Sequence, residues 1–366
     1  MKIRSVEATH VAIPYEHGAP KAVFGIGTTR ATMDSVYIRV DTDEGVTGWG
    51  EAFGFGACPV TAAAVARVVA PLAVGCEVGD IAALLQDLRR RVQNMGHNGP
   101  VGFALSGFDT ALWDIAGKVD GKPIHRLLGG AHKKRIPAYA SLLRLHTPEH
   151  VRNVCGAALG RGFRDIKLHE RTVAAVAAAR EAIGPDVPLM LDTNCTWTIE
   201  QSLEMAHQMR LFNLTWLEEP LYPPDDYEGL ARIRRDGGIP VAAGENLGNV
   251  GDVRQILSAE AVDILQPDVN KMGGITELRK AVDLARRHGV RVDPHSPFYG
   301  PGLIATLHVI ASMPEPDVMA EFFYADLEQS PIGAMAYPQG GYFTVPDRPG
   351  LGIEVDEAIL QRYRIT

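Results

Sequence analysis

Leu189-Met190-Leu191-Asp192-Thr193-Asn194, Leu214-Thr215-Trp216-Leu217-Glu218-Glu219-Pro220 and Val241-Ala242-Ala243-Gly244-Glu245 share one form. Each is a short apolar run that stops at a carboxylate. The runs are too short for helices and long enough for buried strands, and helical patterns separate them. Working outward, the same form recurs at Ile136–Leu142, Phe163–Leu168, Ile264–Asp268, Val290–His295 and Val318–Glu321. Eight strand candidates alternating with helices predict an α/β architecture, a TIM-type (β/α)7-8 barrel over residues 131–330.

Each predicted strand from the second onward ends in an ionisable group. These are Lys167 with His169, Asp192 with Asn194, Glu218-Glu219, Glu245, Asp268, His295 and Glu321. Spacings of 25, 26, 27, 23, 27 and 26 residues separate Lys167, Asp192, Glu218, Glu245, Asp268, His295 and Glu321. One strand-helix unit takes about that length, so the groups gather at the C-terminal rim, where such barrels carry their active sites. Residues two apart share a face of a strand. Lys167 therefore pairs with His169 and Asp192 with Asn194, and Glu218, in step with Trp216, is preferred over Glu219 as the inward residue.

Asp192, Glu218 and Glu245 make an all-oxygen site on adjacent strands. Hard ligands of this kind suit Mg²⁺, whereas zinc favours His or Cys. Without a cation, converging carboxylates repel one another and one of them takes a proton. Lys167 and His169 flank this site on one side. On the other stands His295, with Asp268 as its orienting partner. Bases on two faces of a divalent cation suit removal of the α-proton of a carboxylate substrate, the enediolate being stabilised by the cation and by a proton donor, Glu321.

The first third reads differently. Ile3–Ala12, Ser35–Val40 and Val46–Glu51 read as strands, and helices are expected near 59–73, 80–95 and 101–119, an α+β unit over residues 1–130. Residues 331–366 carry one more strand near Gly341–Val345 and are expected to return to that unit. The 366 residues are 46% hydrophobic and 22% charged, with a net charge of −8, which disfavours nucleic acid and anionic membranes as partners. Four scattered cysteines predict neither disulfides nor a thiolate zinc site. Thr61–Gly75, broken by Arg67 and Pro71, reads as too short to span a bilayer, and a reducing cytoplasm is the expected location.

Ala111-Leu112-Trp113-Asp114-Ile115-Ala116-Gly117-Lys118 with Leu127-Leu128-Gly129-Gly130, and the segments Leu191–Asn194, Leu217–Pro220, Gly244–Asn246 and Pro267–Gly274, resemble the enolase superfamily. The resemblance is to its mandelate racemase/muconate lactonizing enzyme group. It implies a capping domain built from both chain ends, Mg²⁺ on Asp192, Glu218 and Glu245, an Asp268–His295 dyad, Glu321 as the strand 8 acid, and a homo-oligomer. The family commonly has Lys-x-Lys on strand 2, whereas this chain has Lys167-x-His169.

The resemblance makes an acid-sugar dehydratase, or a cycloisomerase working by the same β-elimination, the first expectation. A racemase or epimerase is the alternative, and a non-catalytic metal-dependent carboxylate-binding protein a lesser one. His17 and Arg30 on the 15–30 loop, Asn194 and Lys271 are candidate substrate contacts; Phe53–Cys58, His97, Asn98, Arg144 and His146 are further pocket candidates. Cys195 reads as a packing residue. The loops are polar and aromatic with no long apolar wall, which favours a polyhydroxy acid over an aryl one.

Overall fold

The computed structural model describes residues 1–21 and 31–365. Eight parallel strands form the barrel: β4 (Arg135–Leu142), β5 (Ile166–Leu168), β6 (Leu189–Asp192), β7 (Leu214–Glu218), β8 (Val241–Ala243), β9 (Ile264–Leu265), β10 (Arg291–Val292) and β11 (Ala320–Phe323). Their ladder order is β10-β9-β8-β7-β6-β5-β4-β11. Tyr139, Met190, Trp216, Ala242, Ile264 and Met319 form a separate apolar cluster inside the barrel. Alternation then sets the site: two residues beyond Met190, Trp216 and Met319 come Asp192, Glu218 and Glu321, on the same inner face. Ile166 and Leu168 belong to the larger core outside the barrel, which leaves Lys167 pointing in.

Several strands are shorter than their apolar runs suggest. β8 stops at Ala243, β9 at Leu265 and β10 at Val292, so Glu245, Asp268 and His295 stand on the loops just beyond the ladder. Gly244, at φ 135°, turns the chain there, and a Cβ on it would lie 3.0 Å from the Gln266 backbone nitrogen. Between β10 and β11 the ladder has no rung, and side chains close the gap. Asp293 accepts from the Met319 backbone N–H at 2.8 Å and from Arg291 Nε at 2.5 Å, and Glu321 accepts from the Ser296 N–H at 2.9 Å.

The cap carries an antiparallel sheet in the order β12-β1-β2-β3, with β1 (Ile3–Glu16), β2 (Thr32–Thr42), β3 (Thr47–Ala52) and β12 (Asp326–Leu327). The helix Pro100–Asp120 lies on β3 at backbone contact. A Cβ on Gly50 would fall 1.8 Å from the Gly107 carbonyl oxygen, so only glycine permits this approach. Phe55–Ala73 is one continuous helix, matching the helix expected near 59–73, and by length and composition it is apolar enough to cross a membrane, longer than the apolar stretch Thr61–Gly75 suggests. A π-helical turn at Val65–Val69 accommodates Pro71, and Thr61, Val65, Val69 and Ala73 are buried in the cap.

The tail serves both halves. β13 (Tyr342–Thr344) pairs antiparallel with barrel strand β4, while the Ile365 N–H donates to His10 in β1. Buried Asp114 links three segments by accepting from the Trp49 N–H at 2.9 Å, Lys118 Nζ at 2.7 Å and the Leu351 N–H at 2.8 Å. Asp114→Ala orphans two buried N–H groups and takes the carboxylate from Lys118, which keeps its bond to the Thr47 carbonyl. A loss of about 3–5 kcal/mol is expected. A urea midpoint equal to that of the unsubstituted protein would refute it.

Candidate active site

Asp192, Glu218 and Glu245 each offer a carboxylate oxygen, and the three oxygens lie within 4.8 Å of one another. Loop geometry aims them. Asn194 and Cys195 both adopt left-handed backbone (φ 50° and 52°), and the Asn194 N–H donates to Asp192 Oδ1 at 2.8 Å. That occupies one oxygen and leaves buried Oδ2, 3.2 Å from His169 Nε2, facing the cluster. Glu218 Oε2 accepts from Trp216 Nε1 at 2.8 Å and Gln266 Nε2 at 2.9 Å. Three oxygen donors, Asp192 and Glu218 buried and Glu245 half-buried, are the set a hard divalent cation such as Mg²⁺ takes.

Cations already balance this acidity. Fully buried Lys167 sets Nζ 2.6 Å from Glu218, 3.0 Å from Glu321 and 3.7 Å from Asp192. Burial would lower its pKa, but Glu218 and Glu321 raise it well above the ordinary value, so Lys167 is an ammonium. Burial pushes Glu218 up to about 7 against Lys167. Glu321 goes the other way: burial opposes ionisation, yet Lys167 and His295 hold it at about 2. The strand 8 acid is thus a hydrogen-bond acceptor as it stands, and it must first take up a proton to act as the donor expected from the sequence.

The two flanks are built differently. His169 Nδ1 lies 2.7 Å from the Leu142 carbonyl, so Nδ1–H donates there and Nε2 faces Asp192. Its pKa is raised, burial being outweighed by Asp192. His295 Nδ1 lies 2.6 Å from Asp268 Oδ2, and its Nε2 lies 3.2 Å from Glu245 and 4.0 Å from Glu321. Burial would lower His295, but Glu245, Glu321 and Asp268 bring it up to about 9. Asp268 is itself fixed by the Asn270 N–H at 2.6 Å.

The structure places the remaining candidates unevenly. Lys271 lines the cavity, 3.3 Å from Glu245 and 4.2 Å above the Phe53 ring. Asn194, Asn98 and Arg144 also line it. His17 does not: it is buried edge-on to Tyr15 and is absent from the cavity wall. Arg30 lies outside the described residues. Glu219 turns away at φ 46° to accept from the Gly244 N–H at 3.1 Å and Cys195 Sγ at 2.7 Å. Burial and Glu219 push the Cys195 thiol far up, so it is no nucleophile.

The cavity above these groups measures about 460 Å³. Aromatic rings share its wall with these polar groups. Phe53 and Phe55 on the cap, Phe103 on the helix Pro100–Asp120 and Phe323 on β11 all face it, four aromatics from segments far apart in sequence. Arg171, on the loop after β5, lines it too and was missed. Its signal was only its place two residues beyond His169.

Residues 9–129 match the mandelate racemase / muconate lactonizing enzyme N-terminal domain, and residues 150–359 the enolase C-terminal domain-like family. The chain is 35% identical over 353 residues to a D-galactarolactone cycloisomerase of Agrobacterium fabrum, covering 90% of this chain and 91% of that one. It is 30% identical over 348 residues to an arabinonate dehydratase of Saccharolobus solfataricus, covering 92% of each. A crystal structure of a racemase from Streptomyces coelicolor A3(2) with bound magnesium superposes with a TM-score of 0.87 at 28% identity, covering 99% of this chain and 100% of that one. The barrel with its rim of acids and the antiparallel cap thus have matching relatives along nearly the whole chain, which belongs to the mandelate racemase/muconate lactonizing enzyme group of the enolase superfamily.

Proposed function

We propose that this protein is a Mg²⁺-dependent carbon–oxygen lyase acting on a sugar acid, an acid-sugar dehydratase or a cycloisomerase using the same β-elimination. The observation that carries the reading is the Asp268–His295 pair at 2.6 Å beside the acidic triad, with Lys167 and His169 on the facing side. The names of the relatives support the substrate class. Four free cysteines fit a reducing cytoplasm.

Asp192, Glu218 and Glu245 would hold the cation, which supplies charge stabilisation for an enolised carboxylate. Lys167, fixed as an ammonium, pairs with the substrate carboxylate. Asp268 accepts from His295 Nδ1–H, so His295 exchanges protons with substrate only through Nε2. His169 is locked the same way by Leu142, leaving its Nε2, 3.2 Å from Asp192 Oδ2, to act on the facing side. β-Elimination needs two proton transfers, and the two faces supply them. One side group takes the α-proton as the C–H bond breaks. Another protonates the departing oxygen as the Cβ–O bond breaks. The enol left behind tautomerises to a 2-keto-3-deoxy acid.

Incubation of Mg²⁺-loaded protein with a library of sugar acids in D₂O tests this. The expected product is a 2-keto-3-deoxy acid carrying deuterium at C3. Two bases on opposite faces also permit 1,1-proton transfer, so recovery of an epimer alone, deuterated at Cα, would overturn the lyase reading in favour of a racemase.

A further inference from the structure

The mouth of the cavity carries two cations for which the reaction chemistry has no use. Arg144 follows β4 and Arg171 follows β5, neighbouring strands, and both line the cavity, as do Glu245 and Lys271 from the loops after β8 and β9. The acids near the pair are already engaged. Glu170 Oε1 accepts from the Leu145 N–H at 2.6 Å and the His146 N–H at 3.3 Å, and Asp192 Oδ1 accepts from the Asn194 N–H.

These bonds also aim the arginines. Buried Glu170 pins the loop after β4, with His146 held at φ 68°, and Arg144 Nε donates to the His169 carbonyl at 3.2 Å. One of its five N–H groups is so used, and Arg171 donates to no described residue. The two like charges repel: burial and Arg144 both hold Arg171 below its ordinary value. An anion between two guanidiniums removes that repulsion and takes bidentate bonds from planar forks.

Building on the lyase reading, in which Lys167 and the triad claim the reacting carboxylate, we propose that Arg144 and Arg171 form a subsite for a second carboxylate. The preferred substrates are then dicarboxylic sugar acids, reacting at the triad end with the far carboxylate on the arginines. A cavity of about 460 Å³ has room for a six-carbon chain.

The experiment compares a six-carbon aldarate with the aldonate of the same configuration, in Mg²⁺, on the unsubstituted protein, Arg171→Ala and Arg171→Lys. Arg171 stands at the cavity mouth, partly in solvent and outside the apolar core, so its replacement leaves the folded core intact. The expected kcat/KM favours the aldarate by at least about 10-fold, and Arg171→Ala lowers that ratio by about 10- to 100-fold, mainly through KM, with Arg171→Lys between. An aldonate preference, or a ratio insensitive to Arg171, overturns the subsite.

Calorimetry on the Mg²⁺-loaded His295→Asn protein separates this from failure of the lyase reading. If the unsubstituted protein turns over neither acid, yet the His295→Asn protein binds the aldarate more tightly and Arg171→Ala abolishes the difference, the subsite stands and the lyase reading falls. Equal affinities overturn the subsite whatever the chemistry.

Discussion

His295→Asn is expected to lower kcat by about 10³-fold while Mg²⁺ and substrate still bind. General acid–base groups contribute about 10²–10⁴-fold. His295 holds its proton-exchanging Nε2 at the rim and spends Nδ1 on Asp268. Asn retains a polar group of similar reach at Nδ1 and removes the titrating atom. Asp268→Asn should follow in the same direction by about 10–100-fold, because its amide cannot hold the same tautomer as firmly. Single-turnover measurement with a calorimetric affinity separates chemistry from binding. Unchanged turnover in His295→Asn would remove this residue from the reaction.

Asp192→Asn is expected to cost about 10³-fold or more in activity and to abolish the Mg²⁺-dependent rise in thermal stability. A cation at the triad stabilises the folded state by mass action, about 2.7 kcal/mol at 100 times its Kd. Asp192 has one oxygen committed to the backbone of its own loop. Its Oδ1 is tied to Asn194, so Oδ2 is the atom available. An amide there presents one weaker oxygen and leaves Glu218 and Glu245 too few donors for a hard ion. Chelation of the unsubstituted protein should reproduce the loss, and Mg²⁺ should reverse it. Full activity after exhaustive chelation, or a Mg²⁺ thermal shift retained by Asp192→Asn, would show that the triad does not hold the ion.

Much of this arrangement could be read from local pattern. The preference for Glu218 over Glu219 follows from strand alternation, since Trp216 and Glu218 share the interior and Trp216 Nε1 bonds Glu218. Partnership of Asp268 with His295 follows from adjacency of the strands that precede them. The same logic failed where the ladder ends early. β8, β9 and β10 are two or three residues long, so beyond them loop conformation, not strand alternation, aims Glu245, Asp268 and His295. Asp293 illustrates the limit: its carboxylate closes a seam between strands 26 residues apart, a role visible only once the barrel has closed. His17 was misjudged because a loop near the mouth need not face it; packing on Tyr15 turned this side chain inward.

The sequence by itself determined the barrel, the cap and the recurring rim of ionisable groups. These rest on periodicities of two residues and of one strand-helix unit, which short-range sterics and burial enforce on any chain with that pattern. Only the tertiary structure decided what surrounds the rim. The aromatic wall gathers Phe53, Phe55, Phe103 and Phe323 from three distant segments, and Arg144 and Arg171 reach the same cavity from loops after neighbouring strands, one of which Glu170 pins. Such contacts depend on loop paths and on closure of the barrel, which no local pattern encodes.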